Sequence, residues 1–568
     1  MNENDRYLDW RKNAPLNAAQ QKRLAEIGAD ATEKKFTFGA ELQFGTAGIR
    51  GIMDLGTNCL NDFTVRRTAQ GLAAWLSATA LPQRCAIGYD SRHNSRHYAE
   101  LCAVALAERG IRVFVYHELA PTPMLSFAVR QLGCGCGIVV SASHNAGVYN
   151  GIKCYGPDGC QMTDEPAGIV SEQIAAIAYF LPADRTFDEC LACESVCYIA
   201  PELWEQYYQT VLAERIAKTP SDNLQLLYTP LCGTGNKPVR EVLGRIGVNV
   251  EIVKVQEQPD GDFRTCEYPN PETDAALNES YKLARISHPD LILGTDPDCD
   301  RVAVAVPEGD GFRKLSGNEL GCLLLDYILG EMKANGTLPQ QPVAVRSIVS
   351  SPLADRIAEK YGVKMKAVLT GFKYIGGEIL ALEQAGQAQR FVFGFEESCG
   401  YLKGTYARDK DAVIASMLTC DLAAKLKREG MSLSQKMDAL YGEFGYHAAK
   451  VISLELKGPN AMELSARFMA NLRRNIPTAL CGIAVTGCTD YQTRLHTELP
   501  GGAQTAVELP KSNVIALSLG TRGSVIVRPS GTEPKIKLYF TAVDRDIAAA
   551  NRLLAALAAE IGEKYSIA

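Results

Sequence analysis

Long hydrophobic runs, long basic runs and an apolar N-terminal segment are all missing from this 568-residue sequence. No apolar stretch reaches about 18 residues, so a membrane-spanning helix is not expected. Lysine and arginine total 59 against 65 acidic residues, and the net charge of −6 gives no support to a role on nucleic acid or on membrane surfaces. Residues 1–15 are polar, which argues against a secretory signal and predicts a cytoplasmic protein.

Cysteine is too sparse for a disulfide-rich scaffold, since the 568 residues include 18 of them. This density predicts reduced thiols in a reducing compartment. Three cysteines, Cys190, Cys193 and Cys197, nevertheless stand close together. A structural zinc site needs four ligands, usually as two spaced pairs, and the nearest other pair, Cys134 and Cys136, has only one residue between its members. We therefore interpret the three as free thiols rather than as a metal or redox site.

A chain of this length exceeds one hydrophobic core and predicts about three to five domains. Short apolar runs alternate with amphipathic stretches along the first three quarters, the pattern of βαβ units. The last quarter differs, because residues 524–543 indicate two strands flanking a loop, with an Ala-rich helix after them. We expect three serial α/β domains with mixed sheets and a C-terminal α+β domain. Their predicted ranges are 1–203, 204–314, 315–440 and 441–568.

Three aspartates alternate directly after a predicted apolar strand. In an extended segment residues i, i+2 and i+4 point to the same side, so the carboxylates of Asp296, Asp298 and Asp300 should converge. Oxygen ligands of this kind suit Mg²⁺ or Ca²⁺, and a cation would relieve their mutual repulsion. An EF-hand is excluded, because its required glycine and glutamate positions hold Arg301 and Pro307. The alternative is a solvated acidic turn, but α/β sheets bind ligands at such strand ends.

A second polar cluster, Ser141 to Asn145, also follows a predicted buried strand, and within it Ser143 is a candidate nucleophile. The G-x-S-x-G elbow of many hydrolases is absent. His144 is the next residue, and in an extended segment it points away from Ser143, which argues against a protease-type Ser–His pair. Beside a Mg²⁺ site, a serine indicates phosphoryl chemistry. The alternative is an ordinary polar strand end.

Three further segments contain residue types that bind phosphate or sugar. The segment Arg528–Lys535 combines basic side chains, hydroxyls and a glycine, which suits a phosphate; a plain hairpin loop is the alternative. Glu396 and Ser398 combine a carboxylate with a hydroxyl, as vicinal sugar hydroxyls require, although acidic loops are often merely solvated. Arg50 is flanked by glycines and is placed to bind a phosphate.

Five short motifs follow one another along the chain: FGTAGIRG, SASHN, DPDCDR, GFEES and RPSGTEPK. Together they resemble the α-D-phosphohexomutase superfamily, the phosphoglucomutases and phosphomannomutases. YNGIKCY, YTPLCGTG, TGFKYIG and ARDKDA also match, so the resemblance extends over about residues 41–540. The GFEES-x-GY form resembles the long phosphoglucomutase branch. The sequence departs from the family pattern at two positions: Ser141 stands where the family commonly has Thr, and Ala146 where it has Pro. Neither departure changes the nucleophile.

The resemblance implies four domains around a central cleft, and a site whose residues divide into three sets. The implied metal site binds one Mg²⁺ per chain through Asp296, Asp298, Asp300 and a phosphoserine oxygen of Ser143. The implied catalytic residues are Ser143, His144, Lys153, Arg50 and Lys410, with Lys153 or Lys410 as the acid or base. The implied substrate-binding residues are Arg301, Lys373, Glu396, Ser398, Arg528, Ser530, Gly531, Thr532 and Lys535.

The activity that the resemblance implies is that of an intramolecular phosphotransferase of the isomerase class. It would interconvert glucose 1-phosphate and glucose 6-phosphate through glucose 1,6-bisphosphate, which is both intermediate and activator. Phosphomannomutase, phosphopentomutase and glucose-1,6-bisphosphate synthase activities stay open, as does the choice between monomer and homodimer. A silent phosphosugar-binding scaffold is a further alternative, against which the intact Ser143, aspartates and lysines argue. Partners are expected to be hexose phosphates, without nucleic acid or membrane.

Overall fold

The structure is a computed structural model that describes residues 2–45, 48–217, 219–456, 461–529 and 535–564. Within these ranges four sheets of four or more strands follow one another along the chain, and we name them sheets I to IV in that order. None of the helices in the described ranges is both long enough and apolar enough to cross a bilayer.

Three helices precede the first strand: α1 (Glu3–Asn13), α2 (Ala18–Ala29) and α3 (Ala31–Phe38). The side chains of Asn2 and Asn17 cap the first two, since each accepts a hydrogen bond from the backbone N–H three residues later. Trp10 of α1 is buried and makes edge-to-face contacts with Phe38 and Phe63. These ring contacts fix the N-terminal helices onto the region of sheet I.

Sheet I has six strands in the order β1-β5-β4-β2-β3-β6 within the described residues 48–198. They are β1 (Gly48–Ile52), β2 (Arg84–Tyr89), β3 (Arg112–Val115), β4 (Cys136–Val140), β5 (Tyr149–Tyr155) and β6 (Val196–Tyr198). The accompanying helices are α4 (Asp62–Ser77), α5 (Ser95–Ala107), α6 (Thr122–Gln131), α7 (Asp164–Ala175) and α8 (Phe187–Ala192). β5 is antiparallel to β4 and places Lys153 opposite Val139, four residues before Ser143.

Sheet II follows α9 (Pro201–Ala213) and has the order β11-β10-β9-β7-β8. Its strands are β7 (Gln225–Thr229), β8 (Asn249–Ile252), β9 (Leu291–Thr295), β10 (Val302–Glu308) and β11 (Gly311–Leu315). Its helices are α10 (Asn236–Arg245) and α11 (Asn278–Ser287). β9 is parallel to β7 and antiparallel to β10, and all five of its residues are buried. The loop between β9 and β10 therefore begins at the carboxyl end of a buried strand, as predicted for the three aspartates.

Sheet III has the order β13-β12-β14-β15. Its strands are β12 (Val343–Ser347), β13 (Lys364–Val368), β14 (Phe391–Glu396) and β15 (Gly400–Leu402). Its helices are α12 (Gly317–Ala334), α13 (Leu353–Lys360), α14 (Phe372–Gln384), α15 (Ala412–Arg428) and α16 (Leu433–Phe444). β14 and β15 form an antiparallel pair in which Glu396 lies opposite Gly400. Glu397 and Ser398 therefore lie in the turn between two buried strands.

Sheet IV is antiparallel and has seven strands in the order β16-β24-β23-β22-β19-β20-β21, with β17 and β18 as a separate pair, within the described residues 446–544. The strands are β16 (Tyr446–Glu455), β17 (Ala479–Leu480), β18 (Ile483–Ala484), β19 (Gly487–Asp490), β20 (Leu495–Glu498), β21 (Gln504–Ala506), β22 (Ile515–Ser518), β23 (Gly523–Pro529) and β24 (Lys535–Asp544). The helices are α17 (Ala461–Arg474) and α18 (Ile547–Lys564).

Sheets I, II and III share one continuous cluster of buried apolar side chains, to which Phe127, Leu226 and Phe395 belong. Sheet IV has a cluster of its own, with Phe540 and Leu557 among its members. Three α/β regions followed by an antiparallel α+β region confirm the predicted fold class. The predicted boundaries after residues 203, 314 and 440 stay predictions.

Candidate active site

The carboxylates of Asp296, Asp298 and Asp300 converge as the alternation predicted. One oxygen from each lies within 4.8 Å of the others, and all three residues are buried. Asp296 Oδ1 accepts the backbone N–H groups of Asp300 and Arg301 at 3.1 and 3.0 Å, which holds the loop closed. Oδ1 of Asp298 and Oδ1 of Asp300 are buried without a hydrogen-bond donor among the described residues. An oxygen-only cluster with unsatisfied carboxylate oxygens suits a hard divalent cation.

Burial and mutual repulsion give the aspartates unequal acidity. Burial, together with the charges of Asp298 and Asp300, raises the pKa of Asp296 well above its usual range. Burial also opposes ionisation of Asp298, but the ammonium group of Lys153 outweighs it and lowers the pKa of that carboxyl. Lys153 Nζ donates to Asp298 Oδ2 at 2.6 Å and lies 3.4 Å from Asp300 Oδ2. Positive charge at this position therefore offsets part of the repulsion within the cluster.

Ser143 lies in the loop that joins β4 to β5, with only 3% of its surface exposed. Its φ of +52° is in the left-handed region, which a residue with a Cβ rarely occupies. Its backbone N–H donates to Ser141 Oγ at 2.8 Å. Its Oγ donates to Asp296 Oδ2 at 2.9 Å and lies 3.1 Å from His144 Nδ1. The backbone conformation thus directs the serine hydroxyl at the carboxylate cluster of sheet II.

His144 is adjacent to Ser143 in space as well as in sequence. The prediction that it points away from Ser143 assumed an extended segment, and the left-handed backbone of Ser143 removes that assumption. Burial and the positive charges of Arg301 and Arg50 lower the pKa of His144 well below its usual range. The imidazole is therefore neutral at pH 7 and retains one nitrogen as a hydrogen-bond acceptor.

A second ammonium group reaches the cluster from sheet III. Lys410 Nζ lies 3.2 Å from Asp300 Oδ2 and 2.9 Å from Asp409 Oδ1. Burial opposes its charge, but Asp300 and Asp409 outweigh burial and raise the pKa of Lys410. Asp409 is itself held by the hydroxyl of Tyr155, which donates to its Oδ2 at 2.8 Å. Tyr155 belongs to β5 of sheet I, and Lys410 to the sheet III region. A residue of sheet I therefore helps to position Lys410 through Asp409.

Two arginines flank the site. Arg50 of β1 is exposed and donates from Nη1 to Asn145 Oδ1 at 3.1 Å, so it lies beside the serine loop. A cavity of about 720 Å³ opens here and is lined by Arg50, Asn145 and Lys153 among others. Arg301 follows the aspartates directly, and its Nη1 donates to Glu272 Oε1 at 2.6 Å. Arg50 therefore lies beside the serine loop, whereas the charge of Arg301 is paired with that of Glu272.

The predicted sugar-binding residues, Glu396 and Ser398, lie at the end of β14 and in the turn that follows it. Glu396 is buried at the end of β14, and its Oε1 accepts the backbone N–H of Gly371 at 2.7 Å. Burial raises the pKa of Glu396, while the charge of Lys410 opposes that rise. Ser398 lines a cavity of about 500 Å³ together with Lys537 of sheet IV. The carboxylate that lines this cavity beside Ser398 is that of Glu397, whereas Glu396 contacts Gly371 and lies near Lys410.

The remaining predicted residues fall into three situations. Lys373 is buried at the start of α14, and its Nζ donates to Asp164 Oδ1 of α7 at 2.6 Å, so it bridges the regions of sheets I and III. Arg528 is the next-to-last residue of β23, and its charge acts on the hydroxyl groups of Tyr374 and Tyr539. Lys535 begins β24. Ser530, Gly531 and Thr532 lie outside the described residues.

Several contributors to the site escaped the sequence predictions. Thr122, at the first position of α6, donates from Oγ1 to Asp298 Oδ2 at 3.1 Å. Asn145 holds Arg50, Asp409 holds Lys410, and Arg92 contacts the serine loop from behind. Asn145 and Asp409 lie within two motifs, SASHN and ARDKDA, so their position there was an available signal. No local pattern marks Thr122 or Arg92.

The cysteine-rich segment takes no part in this site. All eighteen cysteines are free thiols, as predicted for Cys190, Cys193 and Cys197. Among the described residues, the aspartate cluster alone brings three metal-binding side chains together. A zinc site at residues 190–197 therefore finds no support.

Comparison with known proteins places this arrangement in a family. Sequence models of the phosphoglucomutase/phosphomannomutase family match its alpha/beta/alpha domain I at residues 41–179, domain II at 205–309, domain III at 316–444 and the C-terminal domain at 498–560. The chain belongs to this family. It is therefore an enzyme of the phosphohexomutase type. Ser143, the three aspartates, Glu396 and Arg528 fall in domains I, II, III and IV of the family, one part of the site in each.

Relatives and solved structures agree with that placement. A phosphoglucomutase from Staphylococcus epidermidis is 37% identical over 506 residues, which are 88% of this chain and 90% of the relative. A phosphoglucomutase from Staphylococcus aureus is 36% identical over 536 residues, 94% of each chain. A family protein from Burkholderia thailandensis has a TM-score of 0.67 at 15% identity, covering 92% of this chain and 98% of that one. The open form of pp63/parafusin, a phosphoglucomutase from Paramecium, has a TM-score of 0.65 at 17% identity, covering 93% and 95%. The two structures support the fold alone.

Proposed function

We propose that the protein is a phosphoglucomutase that interconverts glucose 1-phosphate and glucose 6-phosphate through a phosphorylated Ser143. One observation carries the proposal: the Ser143 hydroxyl lies 2.9 Å from Asp296 in the buried aspartate cluster, with Lys153 and Lys410 bound to the same cluster. Relatives at 36 and 37% identity that bear the name phosphoglucomutase support the sugar assignment.

The proposed cycle has two phosphoryl transfers. Phospho-Ser143 gives its phosphoryl group to the free hydroxyl of the hexose monophosphate: the bond from Ser143 Oγ to phosphorus breaks, a bond from the sugar oxygen to phosphorus forms, and the proton that the sugar hydroxyl loses is balanced by the proton that Ser143 Oγ gains. The resulting 1,6-bisphosphate turns end for end, and its other phosphate returns to Ser143 Oγ. Asp296 Oδ2 and His144 Nδ1 lie within hydrogen-bond distance of the Ser143 hydroxyl and can accept its proton in this return step.

Positive charge around the transferred group is the main catalytic requirement, because phosphoryl transfer depends on positioning and on neutralising the equatorial oxygens. One Mg²⁺ per chain, bound by Asp296, Asp298, Asp300 and a phosphoserine oxygen, would supply Lewis-acid stabilisation of that charge. Lys153, Lys410 and Arg50 supply further positive charge. Since both lysines have raised pKa values, they enter the cycle as ammonium groups. Because both contact the aspartate cluster that the Ser143 hydroxyl also contacts, one of them is the proposed acid that returns a proton to the oxygen that loses the phosphoryl group.

Substrate contacts are proposed for two loops and two basic side chains. Glu396 and Ser398 would hold sugar hydroxyls, and Arg301 and Lys373 would orient the substrate. The segment Arg528–Lys535, with Ser530, Gly531, Thr532 and Lys535, would bind the phosphate that does not react, through charge-assisted and backbone hydrogen bonds. Because the sugar turns over during the cycle, this clamp must recognise a phosphate rather than one face of the ring.

One set of coupled enzyme assays would identify the substrate and test the activator. Glucose 1-phosphate, mannose 1-phosphate and ribose 1-phosphate are each supplied with and without glucose 1,6-bisphosphate. We expect turnover of glucose 1-phosphate that the bisphosphate increases, because it phosphorylates any Ser143 that has lost its phosphate. Preference for mannose or ribose 1-phosphate would replace the assignment by a phosphomannomutase or phosphopentomutase. Release of glucose 1,6-bisphosphate formed from a 1,3-bisphosphoglycerate donor would replace it by the synthase.

Replacing Ser143 by alanine tests the nucleophile. We expect S143A to lose mutase turnover, because the phosphoryl acceptor is gone, while glucose 1-phosphate binding measured by calorimetry persists. Ser280→Ala is the matched control, since Ser280 is also a fully buried serine but belongs to α11, outside this loop. S280A should keep far more turnover than S143A. Near wild-type turnover in S143A would exclude Ser143 as the nucleophile.

The cellular setting is also proposed. Eighteen free thiols are typical of a reducing compartment, which supports a cytoplasmic location. Hexose phosphates are the proposed partners, and a monomer or homodimer is the proposed assembly, which light scattering would determine.

A further inference from the structure

Arg92 lies behind the nucleophile loop, which we define as residues 141–149, and has no role in the chemistry proposed above. Its side chain is fully enclosed. The guanidinium group donates to four backbone carbonyls of that loop, those of Ser143 at 2.6 Å, Ala146 at 2.8 Å, Tyr149 at 3.0 Å and Asn145. Within one loop, a single side chain thus donates to carbonyls at four positions, of which that of Ala146 also accepts the backbone N–H of Tyr149.

Arg92 is itself anchored. Asp90, the residue after β2, has its Oδ2 3.3 Å from Arg92 Nε, and both side chains are enclosed. Asp90 Oδ1 accepts the backbone N–H of Arg92 at 3.0 Å and the hydroxyl of Ser95 at 2.7 Å. The guanidinium plane also lies over the ring of Phe263, 4.9 Å from its centroid. A buried charge is stable only when it is paired and hydrogen-bonded: Asp90 supplies the opposite charge without a hydrogen bond between Nε and Oδ2, and the loop carbonyls supply the hydrogen bonds of Arg92.

The nucleophile loop needs such support. A serine in the left-handed region is strained and keeps that conformation only when its surroundings impose it. Arg92 holds the carbonyl of Ser143 from one side, while the Ser143 N–H is held by Ser141. Arg92 also holds the carbonyl of Asn145, whose side chain binds Arg50. One buried guanidinium therefore determines the direction of the nucleophile and the place of an arginine beside it.

We propose that Arg92, anchored by Asp90, is a positioning residue that holds Ser143 in the conformation from which its Oγ faces Asp296. Lysine cannot replace it, because an ammonium group lacks the planar fork that reaches carbonyls on both sides of the loop. The inference rests on the proposed phosphoserine function. It predicts a loss in the chemical step rather than in substrate binding.

Arg92→Lys tests the proposal against a matched control, Arg66→Lys. Arg66 is also a buried arginine of the sheet I region, pairs with Glu108 and donates to the carbonyls of Leu181 and Pro182, away from the site. We expect R92K to lose about 10²-fold in kcat, since a displacement of about 1 Å can cost that much, with KM little changed. R66K should keep wild-type kcat per folded molecule. A kcat in R92K equal to that of R66K would overturn the proposal.

Hydrogen exchange measured by mass spectrometry provides a readout that needs no turnover. Amides of the nucleophile loop should exchange faster in R92K than in wild type or R66K, whereas amides of β9 and of residues 296–301 should not change. Wild-type exchange rates in that loop of R92K would overturn the proposal whatever the activity. If wild-type protein turns over no sugar phosphate, the proposed function fails, and the exchange experiment still decides whether Arg92 holds the loop.

Asp90→Asn keeps the test decisive if R92K does not fold. Asparagine retains an acceptor at Oδ1 but removes the charge that anchors the guanidinium. We expect a smaller loss of kcat than in R92K, again with KM little changed, and faster exchange of the nucleophile loop. Wild-type kcat together with wild-type exchange in D90N would overturn the role of the pair.

Discussion

Lys410 illustrates how single residues determine the chemistry of this site. Its ammonium group lies between Asp300 and Asp409, and its stem packs against the backbone of Gly400 in β15. A Cβ built at Gly400 would lie 2.0 Å from Lys410 Cδ. Glycine is therefore required here by a close approach rather than by an unusual φ. Any larger residue must displace the lysine, because the strand is held in its ladder.

Gly400→Ala should therefore lower kcat by about 10²-fold by moving the ammonium group of Lys410 away from Asp300. Steady-state kinetics of the mutase reaction measure the effect. Gly442→Ala is the control: a Cβ there meets no atom within 4 Å, and alanine favours its helix, α16, by up to about 1 kcal/mol. Unchanged kcat in G400A would show that the position of Lys410 is not critical.

At the scale of elements, β16 connects the last helix of the sheet III region with sheet IV. It follows α16 after Gly445, whose φ of +91° allows the chain to reverse direction. His447 is the second residue of β16, near Asp355 and Arg356 of α13. Burial lowers the pKa of His447 to about 4. The start of the strand therefore holds a neutral imidazole at pH 7.

The free energy of unfolding should decrease as the pH is lowered, because of His447 at this junction. The unfolded chain takes up a proton on His447 near pH 6.5, whereas the folded chain does so only near pH 4. Above pH 6.5 the neutral imidazole does not lower the free energy of unfolding. As the pH falls from 6.5 toward 4, protonation of the unfolded chain lowers that free energy by up to about 3 kcal/mol. Urea unfolding midpoints at pH 7, 5.5 and 4.5 measure it.

Comparison of variants isolates the histidine from other titrating groups. His447→Gln should weaken the decline in unfolding midpoint between pH 6.5 and 4, because glutamine does not titrate. His288→Asn, at the exposed end of α11, should leave the wild-type decline unchanged. The same decline in H447Q and wild type would exclude His447 as its source.

In the whole molecule, the site belongs to no single sheet. Ser143 and Lys153 come from sheet I, the aspartates from sheet II and Lys410 from the sheet III region, and 153 residues separate the Ser143 and Asp296 side chains that touch. Sheets I to III share one buried apolar cluster, so their relative placement is set by packing. A cation bound by the aspartates would therefore stabilise contacts among three parts of the chain.

Mg²⁺ should accordingly raise the thermal unfolding temperature. Ligand present at 100 times its Kd adds about 2.7 kcal/mol to the free energy of unfolding, because it binds the folded state alone. Scanning fluorimetry with MgCl₂, against NaCl of equal ionic strength, measures the shift, and excess chelator should abolish both the shift and turnover. Asp298→Asn should reduce the shift strongly. An equal shift in D298N and wild type would place the metal elsewhere.

The sequence predicted the candidate site residues better than the residues that hold them in place. The carboxylates of Asp296, Asp298 and Asp300 converge as predicted, but they do so in a turn between β9 and β10, with Cys299 at a φ of +55°, rather than in the extended segment that the prediction assumed. His144 shows the limit of that reasoning: the left-handed backbone of Ser143, which no periodicity reveals, turns the imidazole toward the hydroxyl. Residue types and motif order identified the chemistry, but not which side chains hold it in place.

By itself, the sequence determined the fold class and the order of the four regions, because these depend on local periodicity, and its ordered motifs marked the candidate site residues through a family resemblance. Only the tertiary structure decided that Arg92 and Thr122 act on the site, that Tyr155 supports Lys410 through Asp409, and that Lys373 bridges to Asp164. The physical reason is that such contacts join residues up to 254 positions apart. Their geometry depends on how whole sheets pack, which no local pattern encodes.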